Sequence, residues 1–579
     1  MSACLFGAHL LSPDSTQFRL WAPEAKSVAV AITGGGIFPM VRDNAGFFSV
    51  TLPVGTGTRY RYRFDTGFMT PDPASQAQDG DVHGDSVVVG HSHAWRYPGW
   101  QGRPWHETVI YELHPGTFGG FKGITAHLPR LAALGITAIE LMPVADFPGR
   151  HNWGYDGVLP YAPDAAYGTP DELKELIDTA HGLRLQVFLD VVYNHFGPDG
   201  NYLNSYAASF FQPDTHTPWG NAIDFHKPQV RNFFFENALY WLNVYRFDGL
   251  RFDAVHAIDD KSFLRELAGA IRDATSPGRQ IHLILENEEN DSSLLRINPD
   301  ERKFDAQWSD DWHHCVHVLL TGESEGYYGD FSNPAEKLTR CQAEGFAYQG
   351  EPSTYAGGKP RGKRSQLLPP TAFVICLQNH DQIGNRAMGE RLTTLSDQRA
   401  LHAAAALLLL TPQIPMLFMG EEWGETRPFL FFTDHNEDLG KLVRDGRRRE
   451  FAHFVAFNKP ETRSKISDPN AAETFAASVP VPTENAWTEF YKTCLKIRHE
   501  KIIPLIPGCK SMDAQALSSA AIRASWRMNN GAILTVATNF SDREIVCEPG
   551  GQETFFATNP FVNATLAPFT TCCWLQPYG

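Results

Sequence analysis

No apolar run in this 579-residue sequence is long enough to cross a bilayer; the longest, Ala403–Leu410, falls far short of the roughly 20 residues a spanning helix needs. The start, Met1–Leu11, has neither a basic segment nor a long apolar one, so no secretory signal is expected. Positive charge is scarce: 50 Lys and Arg stand against 66 Asp and Glu, a net balance of −16. Such a surface repels phosphate backbones and anionic lipid, which argues against nucleic acid and membrane as partners. Cysteine is sparse too. The nine present are an odd number with no CxxC pair, which suits a reducing, cytoplasmic setting better than a disulfide framework. No internal repeat is visible. At 42% hydrophobic and 20% charged residues the chain is too apolar for disorder, and its length predicts two to four domains.

Aromatic residues are what the sequence does have: 13 Trp, 18 Tyr and 39 Phe. Flat apolar faces among carboxylates suit sugar rings, although filling cores is the commoner use of such side chains. Residues 1–95 read as an antiparallel β-sandwich. Arg59–Phe64 alternates with period two, Val28–Ile32 is a short apolar run, and Gly34-Gly35-Gly36, Asn44-Ala45-Gly46 and Gly55-Thr56-Gly57 supply turns. Trp95–Pro104 reads as a linker. Over residues 105–480 short apolar strands alternate with helical patterns. The expected strands are Val109–Leu113, Ala138–Met142, Leu185–Val192, Gly249–Asp253, Ile281–Glu286, Phe304–Trp308, Phe373–Asn379 and Ile414–Met419. Asp171–His181 is typical of the helices, with Leu173, Leu176, Ile177 and Ala180 on one face, Pro170 before it and Gly182 closing it. Eight right-handed β-then-α units close into a (β/α)8 TIM barrel, here with an insertion at about 195–226; a doubly wound open sheet would use the same alternation. A helix containing Phe490, Leu495 and Ile497 then leads into a C-terminal antiparallel β-sandwich over 486–579. The expected class is therefore α/β: a TIM barrel between N-terminal and C-terminal β-sandwich domains.

In such a barrel the C-terminal strand ends line the active-site mouth. Here those ends are Asp190–His195, Gly249–Asp253, Glu286 and Gln378-Asn379-His380-Asp381, so Asp253, Glu286 and Asp381 are expected to converge on one pocket. Cleaving a glycosidic bond needs one protonated carboxyl for the leaving oxygen and one carboxylate to attack the anomeric carbon. Arg251 lies two residues before Asp253 and so shares its face of the strand, where a guanidinium holds that carboxylate ionised. Glu286 ends the apolar run Ile281–Leu285, where charging a carboxyl is costly and the proton is more easily kept. Asp253 is therefore assigned as nucleophile, Glu286 as general acid then base, and Asp381 as the stabiliser of the oxocarbenium-like charge. Singly these features have plainer uses, since strand-end aspartates often cap turns and Arg-x-Asp pairs are often structural. Jointly, in order, at four strand ends, they point to chemistry.

Asp190–His195, Gly249–Asp253, Leu285–Glu286 and Asn379-His380-Asp381 resemble the four signature segments of the α-amylase family, glycoside hydrolase family 13, over about Thr108 to Glu422. The resemblance implies the roles just given. It also implies that His195, His380 and Arg251 hold the sugar beside the cleavage point and that Tyr155, in Asn152-Trp153-Gly154-Tyr155-Asp156-Gly157, stacks on it. The N-terminal sandwich is similar to the module preceding the barrel in branching enzymes, isoamylases and trehalohydrolases. Phe225–Pro228, Trp308–His314, Thr321–Tyr328 and Gln378–Arg386 most resemble the trehalohydrolase subgroup. That implies cleavage of the α-1,4 bond between a maltooligosaccharide and terminal trehalose in maltooligosyltrehalose, downstream of a maltooligosyltrehalose synthase. The nucleophile is followed by Ala254-Val255-His256-Ala257, without the Lys-His pair of many amylases. The Asp310–His314 block, with Asp311, His313 and His314, is expected to supply different contacts on that side, and His256 and Gln382 are expected to bind substrate as well. Adjacent histidines on an extended segment would point to opposite faces, so no metal is assigned to the Asp310–His314 block. Asn194 matches a calcium-binding position of some amylases, but the other ligands are not evident, and no cofactor is expected. A glycogen branching enzyme, or a non-catalytic glucan-binding protein, remain alternatives.

Overall fold

The period-two segment Arg59–Phe64 is a strand, with Tyr60, Tyr62 and Phe64 buried and the arginines turned outward. This and the other features below come from a computed structural model that describes residues 5–217 and 220–577. Residues 1–4 of the Met1–Leu11 segment and residues 218–219 of the expected insertion lie outside the described residues. Arg59–Phe64 sits between Val28–Ile32 and Asp85–Val87 in one antiparallel sheet, and Gly7–Ser12, Ser15–Trp21, Phe47–Leu52 and Val41–Arg42 form the other. The sandwich leans on the barrel through Phe6, edge-on to Phe233 at 5.2 Å, and Phe64, stacked on Tyr206 at 4.7 Å. The segment after it is strapped to the barrel floor: Trp100 donates to Asp248 at 2.8 Å and stacks on His181.

Eight parallel strands then close a barrel: β1 (Ile110–Leu113), β2 (Ala138–Leu141), β3 (Gln186–Val191), β4 (Gly249–Phe252), β5 (His282–Leu285), β6 (Ala306–Trp308), β7 (Phe373–Cys376) and β8 (Ile414–Phe418), with β8 pairing β1. Alternate residues face the axis. Ile110, Ala138, Phe188, Ile284, Ala306, Val374 and Met416 fill the lower interior as one apolar cluster. Two residues further along β1, β2, β3 and β5 the inward positions turn acidic, at Glu112, Glu140, Asp190 and Glu286, and this change of chemistry makes the mouth of the barrel reactive rather than merely packed.

The outer helices include α1 (Gly120–Leu134), α2 (Pro170–Gly182), α3 (Pro228–Asn243), α4 (Lys261–Ala274), α5 (Asp310–Thr321), α6 (Pro334–Glu344) and the short α7 (His380–Gly384). At the start of α2 a capping box is complete: Thr169 Oγ1 accepts from Glu172 N at 3.2 Å and Glu172 Oε2 from Thr169 N at 3.1 Å. After a helix at Ala486–Ile497 comes a five-stranded antiparallel sheet with a two-stranded companion. It docks on the barrel where Thr571 Oγ1 donates to the Ala403 carbonyl at 2.7 Å. Among the described residues no helix is long and apolar enough to cross a membrane.

Candidate active site

Asp253 and Glu286 each stand one residue past their strands, β4 and β5, and Asp381 lies in α7 beyond β7, so all three face the same mouth. The β4 and β5 ends are laced together. Val255 N donates to the Glu286 carbonyl at 3.0 Å, and Ala254 N to the Glu286 carboxylate at 2.8 Å. Ala254 holds a left-handed backbone, φ 40°, a strain of about 1 kcal/mol or more that aims its N–H at the acid.

Arg251, fully buried, is the hub. Its Nη1 lies 2.7 Å from Asp190 Oδ2 and 3.0 Å from Asp253 Oδ1, and its Nη2 lies 2.9 Å from Glu286 Oε2. The guanidinium rests 4.0 Å over the Trp308 ring, which fixes its plane. Asn194 Nδ2 holds the other oxygen of Asp253 at 2.8 Å. Glu286 is therefore not in the apolar setting its preceding run suggested. The run does end beneath it, but the carboxylate reaches across to β4. Its acidic neighbours are Asp381 and Asp310. Burial and then the neighbouring Glu286 and Asp381 push Asp310 up to about 8. Asp381 is also raised, first by burial, with His380 opposing and Glu286 adding. Asp190 is pushed up to about 7 by burial, against Arg251.

The Asn152–Gly157 loop is shaped by local bonds. Asn152 Oδ1 accepts from Gly154 N at 2.8 Å, and Gly154, at φ 101°, passes so close to the Pro143 carbonyl that a Cβ would sit 2.2 Å from it. This delivers Tyr155, whose hydroxyl donates to Asp190 at 2.6 Å and whose ring stacks on His380 at 5.1 Å. His195 faces oxygen acceptors on both sides, Asn194 Oδ1 and, at 2.9 Å, the Tyr155 carbonyl, so it supports that loop. Gln382 accepts from Tyr327 at 3.1 Å near the pocket, and His256 sits half-buried at the rim, 3.8 Å from Glu288.

The Asp310–His314 block departs from the expectation. It is the first turn of α5, not an extended segment, so Asp310, His313, His314 and His317 share one face and Asp311 lies on another. Asp311 is turned away from the pocket: it pairs with Arg361 at 2.8 Å and accepts from Ala347 N, Tyr348 N and Asn290 Nδ2. His313 bonds the Leu377 carbonyl at 2.8 Å, and His314 packs against Tyr327 at 4.6 Å. Burial pulls both histidines well below their usual value, so they are neutral packing groups. The acid of this block that faces Glu286 and Asp381 is Asp310, which the sequence reasoning included in the block but did not single out. The inward parity Ala306, Trp308, Asp310 was the available signal. Glu112 and Glu140, acids inside β1 and β2, were missed.

Among the described residues one group, His93, Glu175 and Asp178, brings ligand atoms close enough for an ion. Arg96 already lies 2.5 Å from Glu175 and 2.8 Å from Asp178, so those charges are met without one.

Residues 5–78 match the family model of carbohydrate-binding module 48 (isoamylase N-terminal domain), 78–219 that of the α-amylase catalytic domain, and 509–574 a domain of unknown function. The chain is 42% identical to malto-oligosyltrehalose trehalohydrolase of Saccharolobus solfataricus, covering 85% of this chain and 86% of that protein. It is 43% identical to the protein of that name in Deinococcus radiodurans, over 80% and 76%. A crystal structure from Salmonella typhimurium, of a protein named for the α-amylases, superimposes with a TM-score of 0.93 at 43% identity over 99% of both chains.

Proposed function

The chain belongs to the malto-oligosyltrehalose trehalohydrolase family, and from that premise we propose that it hydrolyses the α-1,4 bond between a maltooligosaccharide and terminal trehalose, releasing trehalose. The observation that carries the chemistry is the single buried guanidinium of Arg251 held between Asp253 and Glu286. Two carboxyls that share one guanidinium are close-set, in keeping with a retaining pair rather than one spaced for an intervening water.

In this reading Asp253 attacks the anomeric carbon of the maltooligosaccharide while Glu286 gives its proton to the departing oxygen of trehalose. The oligosaccharide is left as an ester on Asp253. Glu286, now a carboxylate, takes a proton from water, which attacks the same carbon and frees the sugar with retained configuration. Asp381 faces the ring carbon and oxygen, where positive charge develops. Arg251 and Asn194 hold Asp253 by opposite oxygens, which fixes its attack direction. Tyr155 and His380 form a stacked wall for the same ring. The substrate, with its 1,1-linked end, implies a preceding synthase reaction that creates that linkage. The eight described cysteines are all free and buried, which supports a reducing, cytoplasmic setting.

Incubation with maltotriosyltrehalose should yield trehalose and maltotriose in equal amounts. Glucose and maltose alone, or α-1,6 branches on amylose with little new reducing sugar, would overturn the assignment.

A further inference from the structure

Glu112 takes no part in the hydrolytic steps above, yet it is tied directly to the site. It occupies an inward position of β1 and is 1% exposed. Its Oε2 accepts the backbone N–H of His380 at 3.1 Å, and its Oε1 lies 2.5 Å from ring Nδ1 of the same residue. Two bonds to one residue fix both the start of α7 and the rotation of the imidazole. The ring is further held by Tyr155, stacked at 5.1 Å, and by Trp153, edge-on at 5.4 Å. Its Nε2 points the other way and lies 4.0 Å from Asp381 Oδ1, beyond hydrogen-bond length. A ring whose Nδ1 donates to a carboxylate offers a second N–H at Nε2 only as imidazolium.

We propose that Glu112 is a positioning residue for the hydrolysis: it clamps His380 as an imidazolium so that Nε2–H is presented, beside Asp381, to a hydroxyl of the glucosyl ring being cleaved. The proposal rests on the glycosidase reading of this site. Burial pulls the His380 ring down, but the charge and hydrogen bond of Glu112 outweigh it, Asp381 adds, Arg251 opposes, and the ring is pushed up to about 9. The other titratable groups facing it do not replace Glu112. Glu140 on β2 and Asp190 on β3 are themselves raised, chiefly by burial, and burial drives His114 down to about 3, leaving it neutral.

The test is the pH profile of kcat/KM for the unmutated enzyme, Glu112→Gln, His380→Asn and the double variant. Without that carboxylate Asp381 is the charge left to raise the ring against its burial, so the ring gives up its proton at a lower pH than in the unmutated enzyme. Glu112→Gln should therefore lose about 10- to 100-fold at pH 8 and far less at pH 5. In the His380→Asn background it should cost under about 3-fold, because its route of action is gone. Parallel profiles for Glu112→Gln and the unmutated enzyme, or full additivity in the double variant, would overturn the proposal. Should the variant not fold, histidine Cε1 resonances of the unmutated protein decide, with the His380 signal identified by its loss in His380→Asn. It should stay charged to above pH 8, and titration near 6 would end the idea. Profiles are taken on maltotriosyltrehalose and on short amylose. If only amylose is cleaved, the trehalose reading fails while the Glu112 comparison still stands or falls on amylose.

Discussion

Two aspartates flank strand β6, Asp305 on the floor of the barrel and Asp310 at its mouth, and they meet opposite fates. Burial alone would raise both. Asp305 ends up lowered, because Arg272, Arg296 and His282 surround it and Leu283 N donates to it at 2.7 Å. Asp310 is pushed up to about 8, because its neighbours are the carboxylates Glu286 and Asp381 and only Arg361 opposes them. The floor pairs each buried charge and gains rigidity. The mouth crowds more acids than its arginines, Arg251 and Arg361, can pair, and so keeps protons available near neutral pH. Crowding of that kind costs stability, and it is tolerated only where it performs work on a substrate.

The sharpest way to break this contrast is to remove the acids proposed to react. Asp253→Ala or Glu286→Gln should cut turnover by several powers of ten while the thermal melt stays cooperative. Near-normal turnover in either would remove the mouth from catalysis. Next in size is the floor. Asp305→Asn leaves the half-buried Arg272 and Arg296 without their counter-charge, so unfolding in urea should show a loss of about 1–3 kcal/mol. Turnover per folded molecule should be unchanged; a catalytic defect at constant stability would mean the floor is not merely structural.

How much of this was legible beforehand follows the same division. The eight strands announce themselves as short apolar runs, each followed by turn or helix signals, so the barrel and its mouth can be placed from sequence. Asp253 and Glu286 are legible because they end those runs. The surroundings of Glu286 are not, since Arg251 and the Ala254 N–H reach it from the next strand. The Asp310–His314 block carries no apolar period of its own. Its helical turn is secured by Tyr327, Tyr328 and the 347–348 backbone, all of which come later in the chain. Glu112 sits within an apolar strand, and its contact with His380 spans 268 positions. Pair contacts of that length leave no local signal.

The finest test of the contrast is the stability of Asp310→Asn as a function of pH. In the folded protein Asp310 keeps its proton up to about 8, whereas in the unfolded chain it ionises near roughly 3.9. Between those values the folded state binds a proton that the unfolded state lacks, so this group lowers stability progressively as pH rises. Asparagine removes that dependence. The variant should melt like the parent at pH 4 and be more stable by about 1–2 kcal/mol at pH 8, a gain kept small because the carboxyl is partly open to pocket water. A stability difference that does not change with pH would mean Asp310 is ionised like its floor counterpart, and the contrast between the two ends of β6 would vanish.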